Sequence, residues 1–235
     1  MAILREPAPD LDLQGIEGEI VLGRLDLDPE ALEEAWECLS DGETHRAKRL
    51  RFERDRRRYV AARARLRRLL AERLETRAGA IELSTGHRGK PRLAGRFIES
   101  PLRFNVSHSE DLAVYAFTWG REVGVDVEAV TPWRGADAIA ARFFSRREQA
   151  DYSSLPEAQR TDGFFNCWTR KEAFCKALGE GLHLPLRRFD VSLRPDEPAR
   201  ILRVDATPGE ACGWRLHAFK PAPGFTAAMV VGLNG

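Results

Sequence analysis

The chain has 235 residues, 43% of them apolar and 31% charged, with a formal net charge of +1. This is the make-up of a soluble globular protein of one large domain or two small ones, and a whole-chain charge near zero gives no general argument for nucleic acid. No apolar run approaches the roughly 18–20 residues of a membrane span, and the first residues lack the pattern of a secretory signal, so a cytoplasmic protein that meets no membrane is expected.

Residues 1–20, rich in Pro and Asp, are expected to be a loosely ordered lead-in, followed by a short strand near Glu19 to Leu25. A helix is predicted from Pro29 to Cys38, with Pro29 suited to its first turn. A second, long helix is predicted from about Asp55 to Thr76, with Tyr59, Ala62, Leu66, Leu70 and Leu74 as its apolar stripe. Residues 46–68 hold twelve Lys or Arg against two acids, so one face is expected to be strongly positive. Such a block is either a solvated face or an anion site beside a helix N-terminus.

Gly86 to Pro91 reads as a loop. Leu102 to Ser107, Leu112 to Trp119 and Glu122 to Val130 then read as three adjacent antiparallel strands. In the third, Val123, Val125 and Val127 point one way and Gly124, Asp126 and Glu128 the other. This is what a half-exposed strand looks like, or it is a pair of carboxylates beside a glycine that lets a ligand come close.

The chain is helical again around Ala136 to Phe144, and Ser145-Arg146-Arg147-Glu148 has the form of a capping box. A long helix from about Pro156 to Leu178 follows, stopped by Gly179 and Gly181. Its inner stripe of Phe165, Trp168, Glu172 and Cys175 includes a carboxylate, which is costly to bury unless a cation, a metal or hydrogen bonds offset it. Lys176 lies at i+4, so an ordinary helical ion pair is the plain alternative. Strands are expected at Phe189 to Leu193, Arg200 to Val204, Trp214 to Phe219 and Phe225 to Leu233. The order of elements implies an α+β protein of two halves of similar size. Cys38, Cys167, Cys175 and Cys212 contain no CxxC pair and are read as packing residues, with neither a disulfide framework nor a zinc site.

Two acids from a strand and one from a helix are an all-oxygen set that suits Mg²⁺, which keeps waters and accepts substrate phosphate oxygens. With lysines nearby, the combination points to phosphoryl chemistry.

Gly124-Val125-Asp126-Val127-Glu128, followed some forty residues later by Trp168-Thr169-Arg170-Lys171-Glu172-Ala173 and Lys176, resembles the paired signature of the 4′-phosphopantetheinyl transferase superfamily. The resemblance is to its larger, two-halved, surfactin-synthetase-activating type. Gly89-Lys90-Pro91, Phe104-Asn105-Val106-Ser107-His108-Ser109 and the Arg-rich Phe52 to Arg58 stretch agree with it, and it spans about residues 45–195.

The resemblance implies two pseudo-symmetric α/β-sandwich-like halves, residues 1–120 and 121–235, in a monomer with its active site in the cleft between them. It implies transfer of the phosphopantetheine arm of coenzyme A to a serine of an apo acyl or peptidyl carrier protein, releasing adenosine 3′,5′-bisphosphate. It assigns Asp126, Glu128 and Glu172 to Mg²⁺ and Lys171 and Lys176 to the diphosphate. Ser107 and His108, with Arg46 or Arg58, would hold the 3′-phosphate, and Lys90 and Pro91 would border the adenine. The first half thus makes the coenzyme A phosphate and adenine contacts, and the second carries the metal carboxylates and the catalytic helix. Glu172, set deepest in apolar surroundings, is the expected general base. Arg142, Arg146 and Arg147 are candidates for meeting an acidic carrier.

The rival is a nucleic-acid-binding protein or Mg²⁺-dependent nuclease using the Arg-rich helix, although arginines on every exposed side suit a groove poorly. Ser107-His108 lacks the G-x-S-x-G turn of an acyl hydrolase, and His108 is alternatively an ordinary strand histidine.

Overall fold

Strand β5 (Leu112–Trp119) sets the layering, because both of its faces are apolar. In the computed structural model, which describes residues 18–86, 89–179, 184–205 and 213–233, the two faces meet different partners. Ala113, Tyr115 and Phe117 pack against Ala61, Ala62, Leu66 and Leu70 of the long helix α3 (Glu53–Arg73). Leu112, Val114 and Ala116 pack instead with Val123, Val125 and Val127 of β6 (Val123–Ala129) and Ala227, Met229 and Val231 of β10 (Phe225–Gly232). Two sheets therefore lie face to face, and their outer faces are closed by α3 and by α6 (Glu157–Leu178).

The first sheet has the order β1 (Gly18–Arg24), β5, β4 (Leu102–Ser109), and the second the order β6, β10, β9 (Trp214–Phe219), with every pairing antiparallel. Two hairpins, β2 (Leu83–Thr85) with β3 (Pro91–Leu93) and β7 (Phe189–Val191) with β8 (Ile201–Val204), complete the described strands. Each long helix lies on its own sheet, so the α+β fold of two packed halves holds. Among the described residues no helix is long and apolar enough to cross a membrane.

The expectation of three adjacent strands is corrected: β6 does not join β4 and β5. Both edges of β5 are already taken, by β1 from Gly18↔Thr118 to Arg24↔Leu112 and by β4 from Leu102↔Trp119 to Ser109↔Leu112. The chain therefore leaves at Gly120, in the left-handed region at φ 70, and opens a second sheet.

Helix α1 (Pro29–Glu37) matches its prediction, but a helix that the sequence reading passes over, α2 (Asp41–Lys48), takes up the start of the basic block. It has almost no apolar stripe, only Ala47 being buried, and it is held by a Ser40–Glu43 capping box. The box predicted at Ser145 is present with both hydrogen bonds and opens α5 (Arg146–Ser153), after α4 (Ala136–Phe143). The lead-in falls almost wholly outside the described residues, as do Gly181 and Cys212. Of the other cysteines, Cys167 and Cys175 are buried and Cys38 is half-buried.

Candidate functional site between the halves

Gly124 fixes how α6 meets β6. A Cβ built there would stand 2.1 Å from Ala173 O and 2.2 Å from Ala177 N, so the helix backbone lies directly on the strand. What approaches this glycine is the helix rather than a ligand, which corrects the sequence reading. Residues two and four further along, Asp126 and Glu128, leave β6 on the same face and reach the flank of α6 that carries Glu172 and Lys176.

There Lys176 Nζ stands 2.6 Å from Asp126 Oδ1 and 2.9 Å from Ser107 Oγ, and Ser107 Oγ donates to the same Asp126 oxygen at 2.8 Å. Glu128 Oε2 accepts from Ser109 Oγ at 2.9 Å, and the Trp168 side chain also hydrogen-bonds this carboxylate. Asp126 Oδ2 and Glu172 Oε1 are buried with no hydrogen-bond partner among the described residues. Burial, then the charge of Asp126, and further Glu128 against the opposing Lys176, push the Glu172 carboxyl up to about 7. Burial and Asp126 likewise raise Glu128. The three acids are thus one electrostatic unit.

The seam is stitched by side chains. Asn105, Ser107 and Ser109 alternate along one face of β4 and do for β6 part of what a paired strand would do. Asn105 Oδ1 accepts from Val125 N at 2.9 Å, and Ser109 Oγ accepts from Ala129 N at 3.1 Å. Asn105 and Ser109 were quoted from the sequence only within a motif and given no role; the signal for one was a period of two in small polar residues along β4.

The same alternation separates Ser107 from His108. Ser107 faces the carboxylates, whereas His108 leaves the opposite face of β4, where Phe104 and Val106 pack toward α3. Burial, then the positive charges of Lys176, Arg58 and Arg63, hold the His108 imidazole below its ordinary range. Cations from both halves therefore converge near His108. Arg58 is also held by Asp26 and Glu110, each at 3.2 Å. Arg46 is exposed on α2 with its guanidinium 5.6 Å from the Tyr59 ring, and Arg63 lies at 5.6 Å from the same ring.

Much of the basic block serves the first half instead. Arg67 Nε is 2.6 Å from Glu43 and its Nη1 donates to Ala78 O and Ile81 O, and Arg57 donates to Leu27 O. The first turn of α3 itself carries Glu53 and Asp55, paired with Arg56 and Arg54, so the charge at this N-terminus is mixed rather than one-signed.

Two further lysines are engaged within the protein. Lys171 is fully buried, its Nζ 2.8 Å from Glu148 Oε2 and donating to Leu186 O at 2.6 Å and Phe189 O at 2.7 Å. One residue before Glu172, it is turned about 100° around the helix, toward α5 and β7 rather than the cleft. Glu148, read only as a capping residue, accepts from Ser145 N, Val191 N and Lys171 at once. Lys90 Nζ donates to Glu122 Oε2 at 2.8 Å, Val123 O at 3.0 Å and Ala177 O at 3.1 Å, with 9% of the side chain exposed. Its ammonium is thereby engaged with protein acceptors, and Pro91 stands half-buried beside it on β3.

Among the described residues no three His, Cys, Asp or Glu side chains meet as a ready-formed metal cage. The donors at the seam are nevertheless hard oxygens, and the two unpartnered carboxylate oxygens suit a small divalent cation with open positions for phosphate.

Comparison with known proteins identifies the family. Residues 122–230 match the model of the 4′-phosphopantetheinyl transferase superfamily, and residues 28–119 match that of the 4′-phosphopantetheinyl transferase N-terminal region. The chain is 38% identical over 225 residues to the 4′-phosphopantetheinyl transferase HetI of Nostoc sp., covering 95% of this chain and 91% of that one. It is 36% identical over 126 residues to the 4′-phosphopantetheinyl transferase Sfp of Bacillus subtilis, covering 54% of each. Among solved structures, holo-[acyl-carrier-protein] synthase of Thermotoga maritima aligns over 48% of this chain and 64% of that chain, at 23% identity and a TM-score of 0.36. A relative matched along nearly its whole length, and a family match to each half, establish that the chain belongs to the 4′-phosphopantetheinyl transferase superfamily, in its two-halved form, and is an enzyme of that class.

Proposed function

We propose that the protein moves the 4′-phosphopantetheine arm of coenzyme A onto a serine of an apo acyl or peptidyl carrier protein, and does so with Mg²⁺ as a single cytoplasmic chain. The observation that carries this reading is the cluster of Asp126, Glu128, Glu172 and Lys176 at the seam, with cations gathered around His108 on the neighbouring face of β4. Negative groups for a metal and positive groups for phosphates are what a nucleotide diphosphate substrate needs side by side. Asp126, Glu128 and Glu172 would hold Mg²⁺, which supplies charge neutralisation on the diphosphate.

The chain's own residues do the rest. Lys176 lies on the cleft side with 27% of its side chain exposed, and turns its ammonium to the diphosphate oxygens. His108, with Arg58 and Arg63 near it and Arg46 beside the Tyr59 ring that Arg63 also meets, binds the 3′-phosphate, and Pro91 borders the adenine. Ser107 orients Asp126 rather than binding phosphate. Glu172 takes the proton from the carrier serine as its oxygen bonds to the phosphorus that carries the pantetheine arm. The bond from that phosphorus to the bridging oxygen breaks, and adenosine 3′,5′-bisphosphate leaves with that oxygen.

The test is incubation with coenzyme A, Mg²⁺ and a panel of apo carriers, read by mass spectrometry. A gain of one phosphopantetheine arm on a carrier, dependent on Mg²⁺ and matched by release of adenosine 3′,5′-bisphosphate, is expected. No gain on any carrier, together with salt-sensitive binding of DNA, would overturn the assignment in favour of the nucleic-acid reading.

A further inference from the structure

The Lys90 ammonium has all three of its protons placed on protein acceptors, Glu122 Oε2, Val123 O and Ala177 O. These acceptors belong to different elements. Glu122 and Val123 open the second half at the start of β6, while Ala177 lies in the last turn of α6. Lys90 itself is on the hairpin of the first half, immediately before β3 and after Gly89, whose φ of 87 turns the chain there.

The last four carbonyls of a helix have no intrahelical partner, and a cation placed there also meets the negative end of the helix dipole. At the end of α6, Gly179 closes the helix in the left-handed conformation, its N–H serving Cys175 O and Lys176 O. Ala177 O has no backbone donor among the described residues, and Lys90 donates to it. Glu122 gathers cations of the first half around the same point, with Arg103 at 3.6 Å and Arg92 at 3.7 Å besides Lys90.

We propose that Lys90 is a positioning residue: by capping the last turn of α6 across the boundary between the halves, it fixes the register in which Lys176 and Glu172 face Asp126. Lys176 is the residue directly before the capped carbonyl, and its Nζ must reach Asp126 Oδ1 and Ser107 Oγ together. Gly124 sets how closely Ala173 and Ala177 of α6 lie on β6, and Lys90 adds a direct bond from the first half to the Ala177 carbonyl. The Lys90 bonds make the first half a structural support for the catalytic helix of the second. This inference rests on the transfer reaction proposed above.

The experiment compares wild-type enzyme with Lys90→Met and Lys90→Ala. Hydrogen exchange on the amides of residues 173–179 reads the clamp without reference to activity, and faster exchange confined to that turn is expected in Lys90→Met. Steady-state transfer from coenzyme A should show kcat lowered by about 10²-fold, the cost of a slightly misplaced reacting group, with KM for coenzyme A changed much less. Ethylammonium added to Lys90→Ala should restore part of kcat. A Lys90→Met enzyme with unchanged exchange in this turn, or one that loses only KM, would overturn the proposal by making Lys90 a plain nucleotide ligand. Should wild-type enzyme transfer no arm at all, the reaction assignment fails, while the exchange data still decide the clamp.

Discussion

Helices α3 and α6 occupy matching positions, each lying along the outer face of its own three-stranded sheet, yet they use their polar residues in opposite ways. On α3 the charges are arginines, and most are tied within the first half: Arg67 to Glu43, Arg73 to Glu19, Arg58 to Asp26 and Glu110. On α6 one stripe leaves a Glu172 oxygen without a hydrogen-bond partner among the described residues, beside a Lys176 that is 27% exposed at the seam, while the next position round, Lys171, is fully buried and bonded. The contrast teaches that charge density does not mark a site. Groups left short of partners do, because they retain interactions to give to a substrate.

Replacing Glu172 with Gln tests that contrast most severely. The variant should fold normally and lose transfer by about 10²–10⁴-fold in kcat, the range of a positioned acid or base. Near-normal turnover from a well-folded variant would mean that the unpartnered carboxylate is idle.

The satisfied position should behave in the reverse manner, failing first in stability. Lys171→Met leaves Glu148 buried without its cation and should cost about 3–5 kcal/mol in urea unfolding. Adding Glu148→Leu should recover most of that loss. If the double variant is no more stable than the single one, the pair is not the interaction that matters there.

Gly124→Ala is expected to have a smaller effect, about 1–3 kcal/mol of unfolding free energy, because the new Cβ meets backbone that can move only by shifting the whole helix. Activity should fall with it, since the shift carries Lys176 away from Asp126. Unchanged stability and transfer would show that α6 rides more loosely on β6 than the 2.1 Å approach implies.

The mildest change is His108→Ala. Loss of one donor to a phosphate should weaken coenzyme A binding by roughly tenfold, with dephospho-coenzyme A affected far less. Equal weakening for both would remove His108 from the 3′-phosphate.

Local elements were largely readable from the sequence, because their causes are local. The capping box at Ser145, the period of two in β6 and the aromatic stripe of α6 each need only a few neighbouring residues to recognise. Pairing partners were not readable. That β6 leaves β5 for β10 depends on β1, some ninety residues earlier, having taken the remaining edge. The carboxylates and Lys176 were singled out from motif spacing, whereas the direction of Lys171 was there to be read in the helical angle. The arginines could not be sorted in advance, since the acids that engage Arg58 and Arg67 come from distant loops and from a helix with almost no apolar signal.

The comb of Asn105, Ser107 and Ser109 has a bearing on solubility as well as on catalysis. An open sheet border invites foreign strands to add to it, and here the free border of β6 is covered by short side chains from the face of β4 instead of being fused into one continuous sheet. The seam is therefore also the place where the first half shields the second from aggregation. Substitutions that open it should reveal themselves as clumping at moderate concentration before any loss of secondary structure.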